Sequence, residues 1–319
     1  MHKKLVVLAV GGNSLITDPL HRSVPDQFAS CMETCSKIVK LLEKGYRVVI
    51  THGNGPQVGF MLRRAELAAH ELHRVPLDSC GADTQGALGY AMQRALYNCT
   101  EDWAQRVDVA TVVTQVLVDA DDPAFENPAK PIGSFMDAEK AAERVEKDGW
   151  VVLEDAGRGF RRVVPSPRPN KIVELDAIRL LLEGGYVVVA VGGGGIPVVE
   201  RPDGGLDGVE AVIDKDHASS LLARKLNADI LLISTSVEKA CLHFGTPEEQ
   251  AIDTMTVSEA RQYIREGHFK PGSMLPKVEA MIEFVEAGGG QAALTDPANL
   301  VPGLAGETGT RIVPDPVTE

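Results

Sequence analysis

The 319-residue chain carries 45 Asp+Glu against 32 Lys+Arg, a formal net charge of −13, with 44% hydrophobic and 24% charged residues. That composition is ordinary for a globular enzyme, and a uniformly acidic surface turns away nucleic acid and anionic membranes. The five cysteines, odd in number and without a C-x-x-C pair, read as small buried hydrophobes of a reducing compartment. The apolar run after Met1 is too short for a signal core, so a cytoplasmic protein is expected.

In chain order, Leu5 to Val10 is a continuous apolar run, as expected of a strand covered on both faces. Gln27 to Lys44 has helical apolar spacing, and Gly45 ends it where a left-handed residue is cheap. Tyr46 to Thr51 is a strand, a helix starts near Val58, another covers Thr84 to Tyr97, and Val109 to Val118 reads as one strand. Residues 119–170 change character, with acidic and proline-bearing loops, a short polar helix over Asp137 to Lys147 and two short strands. This excursion is too small to bury much of its own surface, so it is expected to be a lid subdomain inserted in one domain of 1–319. The pattern resumes with helix Glu174 to Glu183, strand Tyr186 to Val191, helix Lys215 to Leu226 and strand Asp229 to Ser234. Helices Thr256 to Arg265 and Pro276 to Ala287 and strand Ala292 to Thr295 follow. Such alternation predicts an α/β fold with a mainly parallel sheet between helices.

Three strands run into glycine-rich loops: Gly11-Gly12-Asn13-Ser14, Gly53-Asn54-Gly55-Pro56-Gln57 and Gly192 to Gly195. At the carboxyl edge of a parallel sheet, such loops let backbone N–H groups reach an anion closely. A tight connection explains one loop; three together point to phosphate. The spacing fits neither G-x-x-x-x-G-K-[ST] nor G-x-G-x-x-G, which argues against a P-loop ATPase and a dinucleotide enzyme. Lys130, Lys215 and Lys277 stand in tight contexts, and Lys215 and Lys277 lie at predicted helix starts. A cation is misplaced there on dipole grounds unless an anion shares the site. Asp214 reads as a helix cap rather than a metal contact, and His52 as a hydrogen-bonding support of its loop.

Taken together, Val10 to Leu15, Thr51 to Gly59, Lys130 to Gly133, Val164 to Pro169, Gly192 to Val198, Gly208 to Asp216 and Gly272 to Val278 resemble the carbamate kinases, in the family's order over nearly the whole chain. Ala9, where cousins such as acetylglutamate kinase carry Lys, and Lys215 in Asp-Lys-Asp point to the same branch. The resemblance implies an αβα sandwich of about eight strands, a protruding subdomain, a homodimer, and ATP + carbamate ⇌ ADP + carbamoyl phosphate with Mg²⁺. It implies that Lys215 and Lys277 bracket the moving phosphoryl, that Asp216 orients both, and that Lys130 closes the lid. Gly11, Gly12, Asn13, Gly53, Asn54, Gly55, Gly193 and Gly194 would hold phosphoryl and carbamate. Ser234, Ser236, Lys239 and Met274 would face the nucleotide. Ser236, Leu275 and Ser134-Phe135-Met136 depart from the family's common wording, which bears on nucleotide and acceptor. Another small-acid kinase of the superfamily and a non-catalytic nucleotide sensor are the alternatives.

Overall fold

Six consecutive apolar residues form strand β1 (Leu5–Val10), and all six are buried. A computed structural model of the protein describes residues 3–11, 23–154 and 157–316. After β1 come helix α1 (Val24–Glu43), strand β2 (Arg47–His52) and helices α2 (Gln57–Ala68) and α3 (Leu77–Cys99). Strands β3 (Val109–Thr111), β4 (Gln115–Val118) and β5 (Lys130–Met136) lead to helix α4 (Ala138–Asp148). Strands β6 (Val151–Glu154), β7 (Phe160–Val164) and β8 (Pro169–Ile172) precede α5 (Leu175–Glu183) and β9 (Val187–Val189). Past a 3-10 turn at Gly192–Gly194 lie β10 (Ile196–Glu200), β11 (Leu206–Gly208), α6 (Lys215–Lys225) and β12 (Ile230–Ser234). Short strands β13 (Cys241–Leu242), β14 (Gln250–Ala251) and β15 (Thr254–Thr256) follow. The last elements are α7 (Val257–Arg265), α8 (Met274–Glu286), β16 (Gln291–Thr295), α9 (Leu300–Ala305) and β17 (Thr310–Val313).

Among the described residues the main sheet has eight strands, in the order β15-β17-β16-β12-β1-β2-β9-β3. Neighbours run parallel except β16 and β17. Strand periodicity splits β1 between two cores. Leu5, Val7 and Ala9 pack with residues of α5, α6, α7 and α8, while Val6, Leu8 and Val10 pack with α1, α3 and α9. This is the three-layer αβα sandwich expected. The amino end of β1 is fixed by Asp229, whose Oδ2 accepts from Leu5 N–H at 2.7 Å and whose own N–H donates to Leu5 O at 3.0 Å.

Residues 130–164 carry a separate antiparallel sheet, β5-β7-β6, with α4 beside it. It meets the body through a small third core, in which Ile132 and Val164 pack with Val58, Leu77, Cys80 and Val212. A four-stranded sheet, β11-β10-β4-β8, holds β4 and β8, the strands that precede and follow residues 130–164 in the chain.

Three readings from sequence need correction, the first being that helix α3 spans Leu77–Cys99 rather than Thr84 to Tyr97. The run Val109 to Val118 is not one strand: β3 joins the main sheet and β4 the four-stranded one. The break is held by buried Gln85, whose Oε1 accepts from Thr114 N–H at 2.7 Å and whose Nε2 donates to Thr114 O at 3.1 Å. Helix α1 starts three residues earlier than the apolar spacing suggested, because Ser23 and Asp26 form a capping box and Pro25 suits a first turn. Of the cysteines, Cys31, Cys35 and Cys80 are buried, while Cys99 and Cys241 are half-buried.

Candidate active site

Register decides where the loops emerge. Val10 pairs with His52 on one side and Ser234 on the other, and Ile50 pairs with Val189, so β1, β2, β9 and β12 finish at one edge. Ligands of open α/β sheets bind at such an edge. A cleft of about 1070 Å³ opens there, lined by Gly53, Asn54, Gly55, Gly193, Lys130, Asp214, Lys215, Asp216, Ser236 and Lys277 among others. Gly11 follows β1 directly. Gly12 and Asn13 lie outside the described residues.

The glycine loops are built against one another. Asn54 Nδ2 donates to Gly193 O at 3.4 Å, and a Cβ on Gly193 would stand 2.0 Å from Asn54 Oδ1. With its φ of +69°, Gly193 leaves no room for another residue. Gly194 faces inward instead: a Cβ there would meet Ile213 O at 2.3 Å, and the residue is buried rather than lining the cleft. His52 is buried, its Nδ1 2.9 Å from Gly53 O, and a Cβ on Gly192 would strike its Nε2. Burial lowers its pKa below the usual imidazole value, so the ring is neutral and packed as loop support. Gln85 Nε2 also donates to Gly192 O at 2.9 Å, tying the third loop to the β3–β4 break.

Opposite the glycines, α6 begins at the cleft. Asp214 caps it, accepting from Asp216 N–H at 2.9 Å, and its other oxygen accepts from Lys130 Nζ at 2.7 Å. One side chain is thus both cap and ion-pair partner. Burial works to raise the Asp214 carboxyl, but Lys130 outweighs it and holds the group ionised far below the ordinary aspartate range. Asp216, 3% exposed at its side chain, spans two lysines. Its Oδ1 accepts from Lys215 Nζ at 2.5 Å and its Oδ2 from Lys277 Nζ at 2.9 Å. Burial would push the Asp216 carboxyl up, and the two ammonium groups overcome this and lower it. Burial pulls Lys215 below the ordinary lysine value, against the attraction of Asp216 and with repulsion from Lys277. The result is two cations held by one anion in a cleft that the glycine loops also line. Such an arrangement suits a mobile group that is more negative in passage than at rest.

The other predicted residues divide. Ser236 lines the cleft. Ser234 is buried at the end of β12, and Met274 packs against the larger core. Lys239 lies outside the lining, its Nζ paired with Asp253 at 2.6 Å. Lining residues that sequence reasoning passed over include Phe60, Arg161 and Val212, while Phe135, singled out there, lines the cleft as well. Arg161 donates from Nη2 to Gly133 O at 3.2 Å, a contact across β5 and β7 that no local pattern announces. Among the described residues, no cluster of three or more His, Cys, Asp or Glu could hold a metal ion.

The model of the amino acid kinase family matches residues 4–296. The chain is 48% identical over 314 residues to the carbamate kinase-like protein YahI of Escherichia coli, covering 98% of this chain and 99% of that one. It is 46% identical over 313 residues to carbamate kinase of Pyrococcus furiosus, with the same coverage. Among solved structures, carbamate kinase from Giardia lamblia bound to AMP-PNP superposes with a TM-score of 0.92 at 41% identity, over 98% of this chain and 99% of that one. A family model spanning most of the sequence and relatives this close from end to end establish that the chain belongs to the amino acid kinase family, in the branch of the carbamate kinases and their like.

Proposed function

We propose that this chain catalyses ATP + carbamate ⇌ ADP + carbamoyl phosphate, running toward ATP in the cell. The observation that carries the reading is the single carboxylate of Asp216 shared by Lys215 and Lys277 beside the Gly53–Gly55 loop. The relatives named carbamate kinase support the acceptor.

In the forward direction a carbamate oxygen attacks the γ-phosphorus of ATP, the bond from that phosphorus to the β,γ-bridging oxygen breaks, and ADP leaves. Carbamate is already an anion, so no base need take a proton, which agrees with a neutral, packed His52. Positioning and charge neutralisation then carry the catalysis. Lys215 and Lys277 sit on either side of the moving phosphoryl, and Asp216 keeps both ammonium groups aimed. Gly11, Asn54, Gly55 and Gly193 present N–H groups to phosphoryl and carbamate, while the Gly53 N–H, expected to join them, is taken by Val10 O at 3.1 Å and serves to fix the loop. Lys130, on β5 of the 119–170 lid, reaches the small substrate. Asp214 and Asp216 are engaged by lysines and, among the described residues, leave no open carboxylate set, so Mg²⁺ enters as the counter-ion of the nucleotide, part of the substrate. Ser236 lies toward the nucleotide. A cytoplasmic homodimer belongs to the same reading.

Purified protein given ADP, Mg²⁺ and carbamoyl phosphate should form ATP. A second acceptor is favoured by Ser134 and Phe135, which line the cleft and depart from the family's wording. Phosphoryl transfer from ATP to another small carboxylate, with none from carbamoyl phosphate to ADP, would establish it. ADP binding without any turnover would mark a nucleotide sensor.

A further inference from the structure

Asp216 joins α6 to α8 inside the cleft, and a second junction between the same helices lies directly behind it. His217, the next residue, is buried, with Nε2 3.2 Å from Glu279 Oε2 and Nδ1 3.3 Å from Glu283 Oε1, both on α8. Arg168 donates to the same carboxylates, from Nη2 to Glu279 at 3.2 Å and from Nη1 to Glu283 at 2.9 Å. Arg168 belongs to the Pro165–Pro169 stretch by which the chain returns from the lid. Its backbone N–H donates at 2.9 Å to Asp122 Oδ2, on the outgoing leg. One knot of charges therefore touches both lysine-bearing helices and both legs of the lid.

We propose that His217 is a positioning residue for phosphoryl transfer: with its ring nitrogens ion-paired at 3.2 and 3.3 Å to the carboxylates of Glu279 and Glu283, it holds α6 against α8 so that Lys215 and Lys277 keep their common grip on Asp216, and through Arg168 it links that spacing to the lid. The inference rests on the kinase reading above.

Only the protonated ring has two N–H donors; the neutral ring has one donor and one acceptor. Burial by itself would lower this imidazole, but the carboxylates of Glu279 and Glu283 outweigh it, even against the Arg168 charge, and raise its pKa. The other charges facing the ring are Asp214 at the start of α6 and, through Glu283, Arg224 with Nη2 at 3.4 Å from that carboxylate. Loss of the proton has a defined consequence. Arg168 Nη1 already stands 2.6 Å from Nδ1 and 2.8 Å from Nε2. A neutral ring offers that guanidinium an acceptor and draws it from the carboxylates, which frees α8 and the lid leg together. A group with a raised folded pKa gives its full contribution below the unfolded value and loses it as pH rises through the folded one. The knot is therefore tight below the ordinary imidazole value and loosens as pH rises through the raised one.

Ring titration of His217 followed by NMR on the full chain should give a midpoint above the ordinary value of about 6.5. A midpoint at or below that value overturns the proposal. In wild type, kcat for ATP formation should show a descending limb at the ring's own midpoint. His217→Gln should lack that limb and lower kcat by on the order of 10-fold below the ring's midpoint, with the KM for ADP unchanged, as expected of misplaced rather than missing groups. A His217→Gln profile that retains the limb overturns the proposal. Should that variant fail to fold, Glu283→Gln removes one acceptor and must move the limb to lower pH; an unmoved limb is equally fatal. In the substrate-free protein, exchange of the Arg168 amide should quicken above the ring's midpoint, and a pH-independent opening of that amide overturns the link to the lid. If carbamoyl phosphate yields no ATP with wild type, the reaction proposed above falls, while ring titration and amide exchange still decide the role of His217.

Discussion

Replacing Asp216 with Asn changes one oxygen to an amide nitrogen and removes one charge. In the native site the two oxygens accept from Lys215 at 2.5 Å and Lys277 at 2.9 Å, and the side chain is 3% exposed. Asn accepts from only one lysine and presents a donor to the other, so two ammonium groups repel across a buried site with no anion between them. Removing one partner of a buried ion pair costs about 3–5 kcal/mol, part of which is relieved when a lysine gives up its proton. Lys215 is the one to yield, because burial already draws its pKa down and Asp216 supplies the main opposing pull. Loss of one preorganised cation raises the barrier by about 3–4 kcal/mol, or on the order of 10²–10³ in kcat. The Lys215 contribution to activity is present below its pKa and lost as pH rises through it. Asp216→Asn should thus move that alkaline limb to lower pH as well as lower the plateau. ATP formation from ADP and carbamoyl phosphate, coupled to a glucose-phosphorylating reporter and run across pH, measures both, with thermal melting to confirm the fold. A folded Asp216→Asn with kcat within about threefold of wild type and an unmoved limb would refute the reasoning.

Lys130→Ala should raise the KM for carbamoyl phosphate by about 10- to 100-fold, the worth of one charge-assisted hydrogen bond, and leave the KM for ADP nearly unchanged; steady-state kinetics with each substrate varied checks this. Gly193→Ala forces a Cβ against Asn54 in a left-handed backbone and should cost stability by about 1–3 kcal/mol together with most of the activity, read from the denaturant midpoint and kcat. Gln85→Ala strands the buried Thr114 N–H, while the carbonyls of Thr114 and Gly192 keep their bonds from Ile196 and Gly195 N–H, and should lower unfolding free energy by about 1–3 kcal/mol in the same titration.

What the sequence made legible was local. Continuous apolar runs announced β1 and β2, glycines marked the loops, and lysines at helix starts marked the anion they await. Capping was just as local: Thr256 and Glu259 form the box that begins α7. What stayed hidden depends on contacts distant in the chain. The break between β3 and β4 is invisible in a Val- and Thr-rich run because its cause, Gln85, lies 29 residues away. Lys239 follows a strand at the correct edge, yet Asp253 holds it aside. Gly194 reads like Gly193, but Ile213 O is what crowds it, and only the fold brings those atoms together. Arg161 and Val212 reach the cleft because the 130–164 sheet folds back over α2, which no periodicity encodes. The knot around His217 joins residues 168, 217, 279 and 283, each of which reads alone as an ordinary surface charge.

Strand β1 is apolar at every position, so its two cores do not distinguish odd residues from even ones, and greasiness alone would tolerate a shift by one place. The pair of hydrogen bonds between Leu5 and Asp229 supplies the missing index mark. A shift of one residue would carry Gly11 about 3.3 Å along the sheet. The first loop would then arrive out of step with Gly53 and Gly193 while the interior remained well filled. Errors at this strand would therefore silence the protein before they unfolded it.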